Sequence, residues 1–388
     1  PQRVGLHQGT CQNSEMRPGI TEPHCRIALH EKPRYSPLMV SKSIQPDHHA
    51  AIPMKWVGPI SVVNPEVTGV FEVPLATYES PLWPSVARGA KVTVHGGGLA
   101  VTVVDERMTR SVLVEAPGAA GAVAVRDFIE TRRGDLETVT ASTSRFARLK
   151  DIHTQIAGNL LFIRFAFDTG DASGHNMATK AADALLNWLL AQRPELAYVS
   201  ISGNYCCDKK PSAVNGILGR GKYVVAEMTL SADLCGTWLK TTPETIAALN
   251  VKKNLIGTLL AGGLRSANAH FANMLLGFYL ATGQDAANIV EGSQGIVHAE
   301  SRADGLYFSV TLPNLIVGTA GAGKNLPHVE ETLRRLGCLE PRPVGANARR
   351  LAMLAAATVW CGELSLLAAQ TNPGELMRAH EKLERSSS

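Results

Sequence analysis

The chain has 388 residues, of which 45% are hydrophobic, enough to bury the core of one large domain or of two smaller ones. Its net charge of +4 is spread without a block of lysine or arginine, which argues against a nucleic-acid partner. Seven cysteines without CxxC spacing argue against a disulfide framework and a metal site, and favour a reducing, cytoplasmic environment. No apolar run reaches the roughly 18 residues that a membrane span needs.

The first half of the chain changes from an irregular segment to strands and then to a mixed pattern. Residues 1–50 lack a sustained period and are interpreted as an accessory segment. Strand-like runs follow at residues 71–73, 91–94 and 101–104. A helix, two strands, a helix and a strand are then predicted at residues 125–133, 145–153, 159–167, 176–191 and 197–202. This alternation predicts a compact α+β module inserted into a larger domain.

The second half is expected to be mostly helical. An apolar stretch at residues 254–282 predicts a buried central helix or helix pair, and the alanine-rich residues 346–369 predict another helix. Residues 307–312 resemble a strand, and residues 318–323 a flexible glycine-rich turn. The tail at residues 381–388 is expected to be mobile.

Three adjacent charges stand out between these halves. Asp208, Lys209 and Lys210 are followed at once by Pro211, which pushes Lys210 toward extended geometry. Such a loop can present cations to an anionic substrate. By residue type alone, it can equally be a solvated charged turn.

Five segments, taken in order, resemble the catalytic domain of class I, NADPH-dependent 3-hydroxy-3-methylglutaryl-coenzyme A (HMG-CoA) reductases. They are TSRFARL, GDASGHNM, ISGNYCCDKKPSAVN, NAHFAN and ATGQDAAN. The resemblance covers residues 71–380 and implies an α+β fold: a large helical and β substrate-binding domain with an inserted small, ferredoxin-like, non-Rossmann cofactor domain. The expected bounds are 1–50 for the accessory segment, 51–111 with 204–375 for the large domain, 112–203 for the small domain and 376–388 for a mobile tail.

The resemblance implies a four-electron reduction of the thioester to mevalonate and coenzyme A, with two NADPH molecules as hydride donors. Lys209 matches the family's lysine that stabilises the oxyanion, and Asp285 matches the carboxylate that tunes it. Glu79 matches the proton donor, and His380 matches the acid that protonates the coenzyme A thiolate. Outside this context, Asp285 would be interpreted as a helix cap, Glu79 as a strand-end charge and His380 as a surface residue.

The resemblance also supplies the binding residues. The substrate-binding matches are Arg110, Ser202, Asn204, Asp208, Lys210, Lys253, His270 and Asn273. The cofactor-binding matches are Ser144, Arg145, Phe146, Asp171, Gly174, His175, Asn176, Gly321 and Gly323. A hydroxyl and a guanidinium suit the 2′-phosphate of NADPH. For His270 and Asn273, satisfied polar groups on an apolar helix are an equal alternative. No metal is expected, and the partners implied are HMG-CoA, coenzyme A and a second copy of the chain, in a homodimer or homotetramer with the active site at the subunit interface.

The chain departs from the family pattern at several positions. Residues 80–84 replace a Gly-Cys-Leu continuation after Glu79 with a segment that contains two prolines and a tryptophan. Ser173 and His175 replace methionines, and Ala322 interrupts a run of three glycines. Two alternatives therefore stay open: a reductase of a different acyl-CoA thioester, and a catalytically silent protein that binds coenzyme A or NADP.

Overall fold

The computed structural model describes residues 50–384. The accessory segment expected at residues 1–49 and the end of the expected mobile tail, residues 385–388, lie outside these residues. The strands of the described part are β1 (Met54–Val63), β2 (Gly69–Ala76), β3 (Leu99–Glu115), β4 (Arg148–Ala157), β5 (Leu160–Asp168), β6 (Ala197–Ser200), β7 (Gly221–Leu230), β8 (Ile296–Arg302) and β9 (Gly305–Leu315).

Helices cover much of the rest of the described chain. They are α1 (Leu82–His95), α2 (Ala119–Thr131), α3 (Arg133–Thr143), α4 (His175–Gln192), α5 (Ala213–Leu218), α6 (Ala232–Leu234), α7 (Pro243–Leu249), α8 (Thr258–Leu260), α9 (Phe271–Ala281), α10 (Ile289–Gly292), α11 (Pro327–Arg335), α12 (Ala346–Gln370) and α13 (Glu375–Glu384). Short π-helical turns cover Cys235–Leu239 and Asn250–Gly257, and a 3₁₀ turn covers Ala286–Asn288.

One mixed sheet runs through the fold in the order β2-β1-β3-β7-β9-β8. The pairing of β1 with β3 is parallel and the other pairings are antiparallel. Strand β3 is 17 residues long and belongs both to this main sheet and to a second, smaller sheet. Its first half pairs with β7, and its second half pairs with β5 and β6. Strand β4 pairs with β5, so the smaller sheet has the strand order β6-β3-β5-β4.

The main sheet and the smaller sheet each have their own group of buried apolar residues. The larger core lies between the main sheet and helices α1, α9 and α12, and the smaller core lies among α2, α3, α4 and the strands β3 and β5. Trp360, at the centre of α12, is fully buried and donates from Nε1 to the Phe308 carbonyl over 3.0 Å. Helix α12 is long and apolar enough to cross a membrane, but 94% of its apolar window is buried inside the fold. It is therefore the central helix of the larger core.

The structure confirms the predicted helices at α4 and α12 and the predicted strands at β2, β4, β5, β6 and β9. Residues 91–94, predicted as a strand, instead form the last turn of α1, where Val92 and Thr93 are buried. The apolar residues 254–282 do not form a continuous buried helix: α9 is buried, but Leu259 and Leu260 are 80% and 83% exposed. The expectation that the chain turns mostly helical after the lysine loop misses β7, a central strand.

Candidate functional site

The lysine loop, residues 204–211, brings Lys209 to Asp285. The ammonium Nζ of Lys209 lies 2.6 Å from Asp285 Oδ2. Asp285 stands just before the 3₁₀ turn Ala286–Asn288, and its other oxygen accepts from the Ala287 backbone N–H over 3.1 Å. The hydrogen bond to Asp285 raises the pKa of Lys209. Partial burial acts to raise the pKa of Asp285, but the hydrogen bonds from Lys209 and from the Ala287 backbone, together with the nearby positive charge, outweigh it, so that pKa is lowered. Both groups are therefore charged at neutral pH.

A buried arginine holds this loop in place. Arg220, in the turn before β7, is fully buried and donates from Nη2 to Asp208 Oδ1 over 2.5 Å and from Nε to Glu291 Oε2 over 3.1 Å. Its Nη1 also donates to the Thr109 carbonyl over 2.9 Å. Burial acts to raise the pKa of Asp208, but His175 and Arg220 together hold it well below its usual range. Arg220 thus ties the residue before Lys209 to the interior of the sheet.

The same network contains a cluster of possible metal ligands. Ligand atoms of His175, Asp208 and Glu291 lie within 4.8 Å of one another. The guanidinium of Arg220 already donates to both carboxylates and supplies the positive charge that they require. His175 Nε2 lies 3.6 Å from Asp208 Oδ1. The arrangement is therefore an arginine-centred ion network, with His175 at its edge, and not a cage shaped for a metal ion.

A cavity of about 500 Å³ opens beside Lys209. Its walls are the loop before α4, the lysine loop, the turn at residues 283–285 and the turn at residues 320–324. Eight of the residues matched from sequence line it: Arg110, Gly174, His175, Asn176, Asp208, Lys209, Asp285 and Gly321. The structure thus brings matched catalytic, substrate-binding and cofactor-binding residues to one cavity.

A second cavity of about 390 Å³ lies between α1, α9, α12 and α13. Glu79, His270 and Asn273 line it, and Asn273 Nδ2 donates to Glu79 Oε2 over 2.9 Å. His270 is held from two sides: its ring Nε2 lies 2.9 Å from the Gly362 carbonyl, and its backbone N–H donates to Glu363 Oε2 over 3.0 Å. Burial lowers the pKa of His270 to about 4. His270 and Asn273, which by sequence could equally be satisfied polar groups on an apolar helix, therefore face a cavity together with Glu79.

The remaining matched substrate residues occupy different places. Arg110 Nη1 lies 3.4 Å from Ser202 Oγ, and Asn204 has the positive φ of 59° that shapes the start of the lysine loop. Lys210 is exposed, and its Nζ lies 3.2 Å from the Asp208 carbonyl. Lys253 donates to the side chain of Asn254 over 3.0 Å and lines neither cavity. Burial lowers the pKa of Lys253.

The matched cofactor residues fall into two groups. Gly321 and Gly323 have φ of 110° and 81° in the turn beside the first cavity. Asp171 lies next to this cavity, but its carboxylate accepts from the backbone N–H groups of Gly345 and Ala348, both over 3.0 Å, and so caps α12. Residues 144–146 lie in the turn between α3 and β4, where Arg145 stacks 4.7 Å over the Phe146 ring, and they do not line this cavity.

Position 380 falls within α13, which starts beside the second cavity. Glu375, its first residue, pairs with Arg88 over 2.6 Å. The side chain of His380 lies outside the described part of the chain, so its matched role stays a prediction.

Sequence reasoning missed Arg220, Glu291, Glu363 and Lys324. The first three are buried charges in otherwise ordinary segments, and no sequence pattern marks them. Lys324 follows the Gly-Ala-Gly turn directly, and a lysine after a glycine-rich turn is a recognisable phosphate-binding signal.

Comparison with known proteins settles the family. The family model described as hydroxymethylglutaryl-coenzyme A reductase matches residues 49–385. A 3-hydroxy-3-methylglutaryl-coenzyme A reductase of Aeropyrum pernix is 44% identical over 86% of this chain and 79% of its own length. One of Pyrococcus abyssi is 43% identical over 86% of this chain and 82% of its own.

Solved structures show the same fold. A class II 3-hydroxy-3-methylglutaryl-CoA reductase of Streptococcus pneumoniae, bound to NADPH in open conformations, superposes with a TM-score of 0.68. It is 19% identical and covers 86% of this chain and 88% of its own. This likeness confirms a mixed α+β fold. With a matching family model over nearly all of the described chain and relatives above 40% identity, the chain belongs to the hydroxymethylglutaryl-coenzyme A reductase family.

Proposed function

We propose that this protein is an NADPH-dependent HMG-CoA reductase of class I, which reduces HMG-CoA to mevalonate and free coenzyme A. The observation that carries the proposal is the Lys209–Asp285 ion pair of 2.6 Å, which lines the same cavity as the loop before α4. The Ser144–Arg145 pair, and an identity of 19% to a class II structure, support class I.

The cofactor requirement fits the residues of the first cavity. Helix α4 begins after Gly174, which has φ of 94° and leaves the first turn without a side-chain cap. Free N–H groups at a helix N-terminus attract phosphate. Gly321 faces open space, because a Cβ built there would meet nothing within 4 Å. NADPH supplies the hydride when it is bound, and Ser144 with Arg145 suits its 2′-phosphate.

The catalytic roles follow from where charge develops on the substrate. Hydride attack on the thioester carbonyl produces an oxyanion, and Lys209, held charged by Asp285, would stabilise it. Glu79 would donate the proton to the carbonyl oxygen of the aldehyde, with Asn273 orienting its carboxyl group. His380 would protonate the coenzyme A thiolate, which otherwise recombines with the aldehyde. Arg110, Ser202, Asn204, Lys210, Lys253 and His270 would bind the substrate, with Asp208 anchoring the loop through Arg220.

The smaller sheet and the helices packed on it support the expected cofactor domain at residues 112–203. Its strand order β6-β3-β5-β4, with helices between β3 and β4 and between β5 and β6, is the βαββαβ arrangement of ferredoxin-like domains. It has its own core and carries no GxGxxG turn. The large domain at 51–111 and 204–375 would correspond to the other core.

We also propose a homodimer or homotetramer with the active site at the subunit interface. Residues 255–264 expose several apolar side chains, among them Leu259 and Leu260, and a partner copy would cover them. Lys253, two residues before this segment, would then serve the site of the neighbouring subunit. Sedimentation of the purified protein should show an assembly of two or four chains, and a monomer at assay concentration would contradict this.

A different acyl thioester is the second candidate. Pro81 and Pro84, which belong to the remodelled segment after Glu79, line the second cavity and change its shape. Turnover should therefore be compared across a panel of coenzyme A thioesters with NADPH. A preference for HMG-CoA supports the main proposal, and a clear preference for another thioester supports this alternative.

A further inference from the structure

Lys324 lies where two functional turns meet. Residues 318–324 follow β9 and pack against the loop before α4: Ala320 forms a β-bridge with Ala172, and the Thr319 backbone N–H donates to the Asp171 carbonyl over 2.8 Å. The Nζ of Lys324 donates to the Gly283 carbonyl and lies 3.4 Å from that of Thr282. The ammonium group thus lines the first cavity between the loop before α4 and the turn that carries Asp285.

Lys324 differs from the other cations of this cavity in having no carboxylate partner. Lys209 pairs with Asp285 at 2.6 Å, and Arg110 lies 3.9 Å from Asp208. For Lys324, no carboxylate of the described chain lies within 4.0 Å. Burial lowers the pKa of Lys324 to about 8. Three cations against two carboxylates leave the lining with an excess positive charge that an anionic ligand would balance.

The cavity has open space and further anion-binding groups near this lysine. A Cβ built on Gly321 would meet no atom within 4 Å, and one built on Gly323 would only approach the Gly283 carbonyl at 4.0 Å. The N-terminus of α4, an 18-residue helix whose first turn has no side-chain cap, also lines the cavity. An uncapped helix N-terminus and an unpaired ammonium group both favour phosphate oxygens.

We propose that Lys324 binds the diphosphate of the dinucleotide cofactor, together with the N-terminus of α4. This is a second phosphate contact, separate from the Ser144–Arg145 pair, which does not line this cavity. The turn of Lys324 packs against the loop before α4, and this favours the cofactor over the phosphates of coenzyme A. The proposal rests on the proposed function for the identity of the cofactor.

The test measures the binding of NADPH and of coenzyme A separately by calorimetry, with the full chain and without turnover. Lys324→Gln removes the charge, Lys324→Arg retains it, and Lys91→Gln removes an equal charge from an exposed position on α1 that lines neither cavity. Thermal midpoints establish that each variant is folded. Inorganic pyrophosphate serves as a competitor against NADPH.

Lys324→Gln should raise the Kd for NADPH about 10-fold or more, since a charge-assisted hydrogen bond is lost, and leave the Kd for coenzyme A within about 2-fold. Lys324→Arg should stay within about 3-fold of the parent, and Lys91→Gln within about 2-fold. Pyrophosphate should compete with NADPH in the parent and much less in Lys324→Gln.

An unchanged Kd for NADPH in folded Lys324→Gln would overturn the proposal, as would a larger effect on coenzyme A. Equal weakening by Lys324→Arg and Lys324→Gln would assign the effect to the carbonyl contacts and also overturn it. A parent chain that does not bind NADPH contradicts both this proposal and the cofactor of the proposed function. A parent that binds NADPH in this Lys324-dependent way but does not reduce HMG-CoA contradicts only the proposed function.

Discussion

Backbone strain is concentrated at the residues around Lys209. Asn204, Cys207 and Lys209 have φ of 59°, 40° and 54°, a region that non-glycine residues rarely enter. Each such residue costs on the order of 1 kcal/mol, and it persists only where surrounding contacts hold it. Here the buried contacts of Arg220 with Asp208 and Glu291 hold the loop. Strain at this point supports the assignment of the loop as functional and argues against a merely solvated turn.

We expect the preference for NADPH over NADH to depend chiefly on Arg145, in the turn between α3 and β4. Arg145→Ala should weaken NADPH binding about 10-fold or more and leave NADH nearly unchanged, because only NADPH carries the 2′-phosphate that the guanidinium would bind. Titration of each nucleotide by fluorescence measures the effect. Equal losses for the two nucleotides would contradict the role of Arg145.

Buried Glu363 and half-buried His270, beside the second cavity, should give the stability of the protein opposite dependences on pH. Burial raises the pKa of Glu363 to about 7, so between pH 4.5 and 7 the folded state holds a proton that the unfolded state has lost, and stability falls as pH rises. Burial lowers the pKa of His270 from 6.5 to about 4, so between these values the unfolded state holds more protons, and stability rises with pH.

Glu363→Gln isolates the first of these effects. The variant removes the titration of Glu363 and leaves that of His270, so its thermal midpoint should rise more steeply between pH 5 and 7 than that of the parent. Thermal melts across this range measure the difference. Parallel curves for parent and variant would show that Glu363 does not titrate in the folded protein over this range.

Sequence motifs identify Lys209 and Asp285 as a charged pair, but they do not identify the buried residues that hold the lysine loop in place. Lys209 and Asp285 are 76 positions apart, and their meeting at 2.6 Å follows from motif resemblance and not from spacing. Arg220 and Glu291 carry no local signal, since their function depends on burial in a folded sheet. Lys324 does carry a local signal, since it directly follows a Gly-Ala-Gly turn.

At the scale of elements, α1 packs unusually closely on α12. A Cβ on Gly89 of α1 would lie 2.1 Å from the Cys361 carbonyl oxygen of α12, a backbone atom that cannot move away freely. Gly89 therefore sets the distance between the two helices. Residues 91–94 belong to the same packed helix, with Val92 and Thr93 buried, although β-branched side chains favour strand.

Gly89→Ala should destabilise the protein by about 3 kcal/mol, because the added methyl group forces the helices apart. Gly134→Ala is the matched control, since Gly134 is an exposed helical glycine of α3 whose added Cβ would meet nothing within 4 Å. The control should be neutral or more stable by up to about 1 kcal/mol. Urea denaturation of both variants measures the difference, and similar stabilities would refute the close-packing account.

The exposed segment at residues 255–264 shows the limit of hydrophobic patterning. Its leucines and glycines predict a buried helix, but the chain instead forms a π-helical turn and the short α8, with Leu259 and Leu260 exposed. Apolar composition does not distinguish a core from a surface that a second copy of the chain would cover. The sequence therefore predicts the apolar character of this segment correctly, and its burial within one chain wrongly.

At the scale of the whole molecule, β3 joins two cores. One strand of 17 residues pairs with the main sheet through its first half and with the smaller sheet through its second. The alternation of helix and strand between residues 123 and 203 predicts α4, β4, β5 and β6 from local pattern. The long strand that connects it, and the central position of β7, depend on pairings between distant residues that no local pattern encodes.

The central claim is that Lys209 stabilises the oxyanion during NADPH-dependent reduction of HMG-CoA. The direct measurement follows NADPH absorbance with purified parent protein and with Lys209→Ala, each with and without HMG-CoA. The parent should consume NADPH only with the thioester, and Lys209→Ala should lose at least about 100-fold in kcat while it still binds NADPH. No consumption by the well-folded parent, or near-parental turnover by Lys209→Ala, would contradict the account.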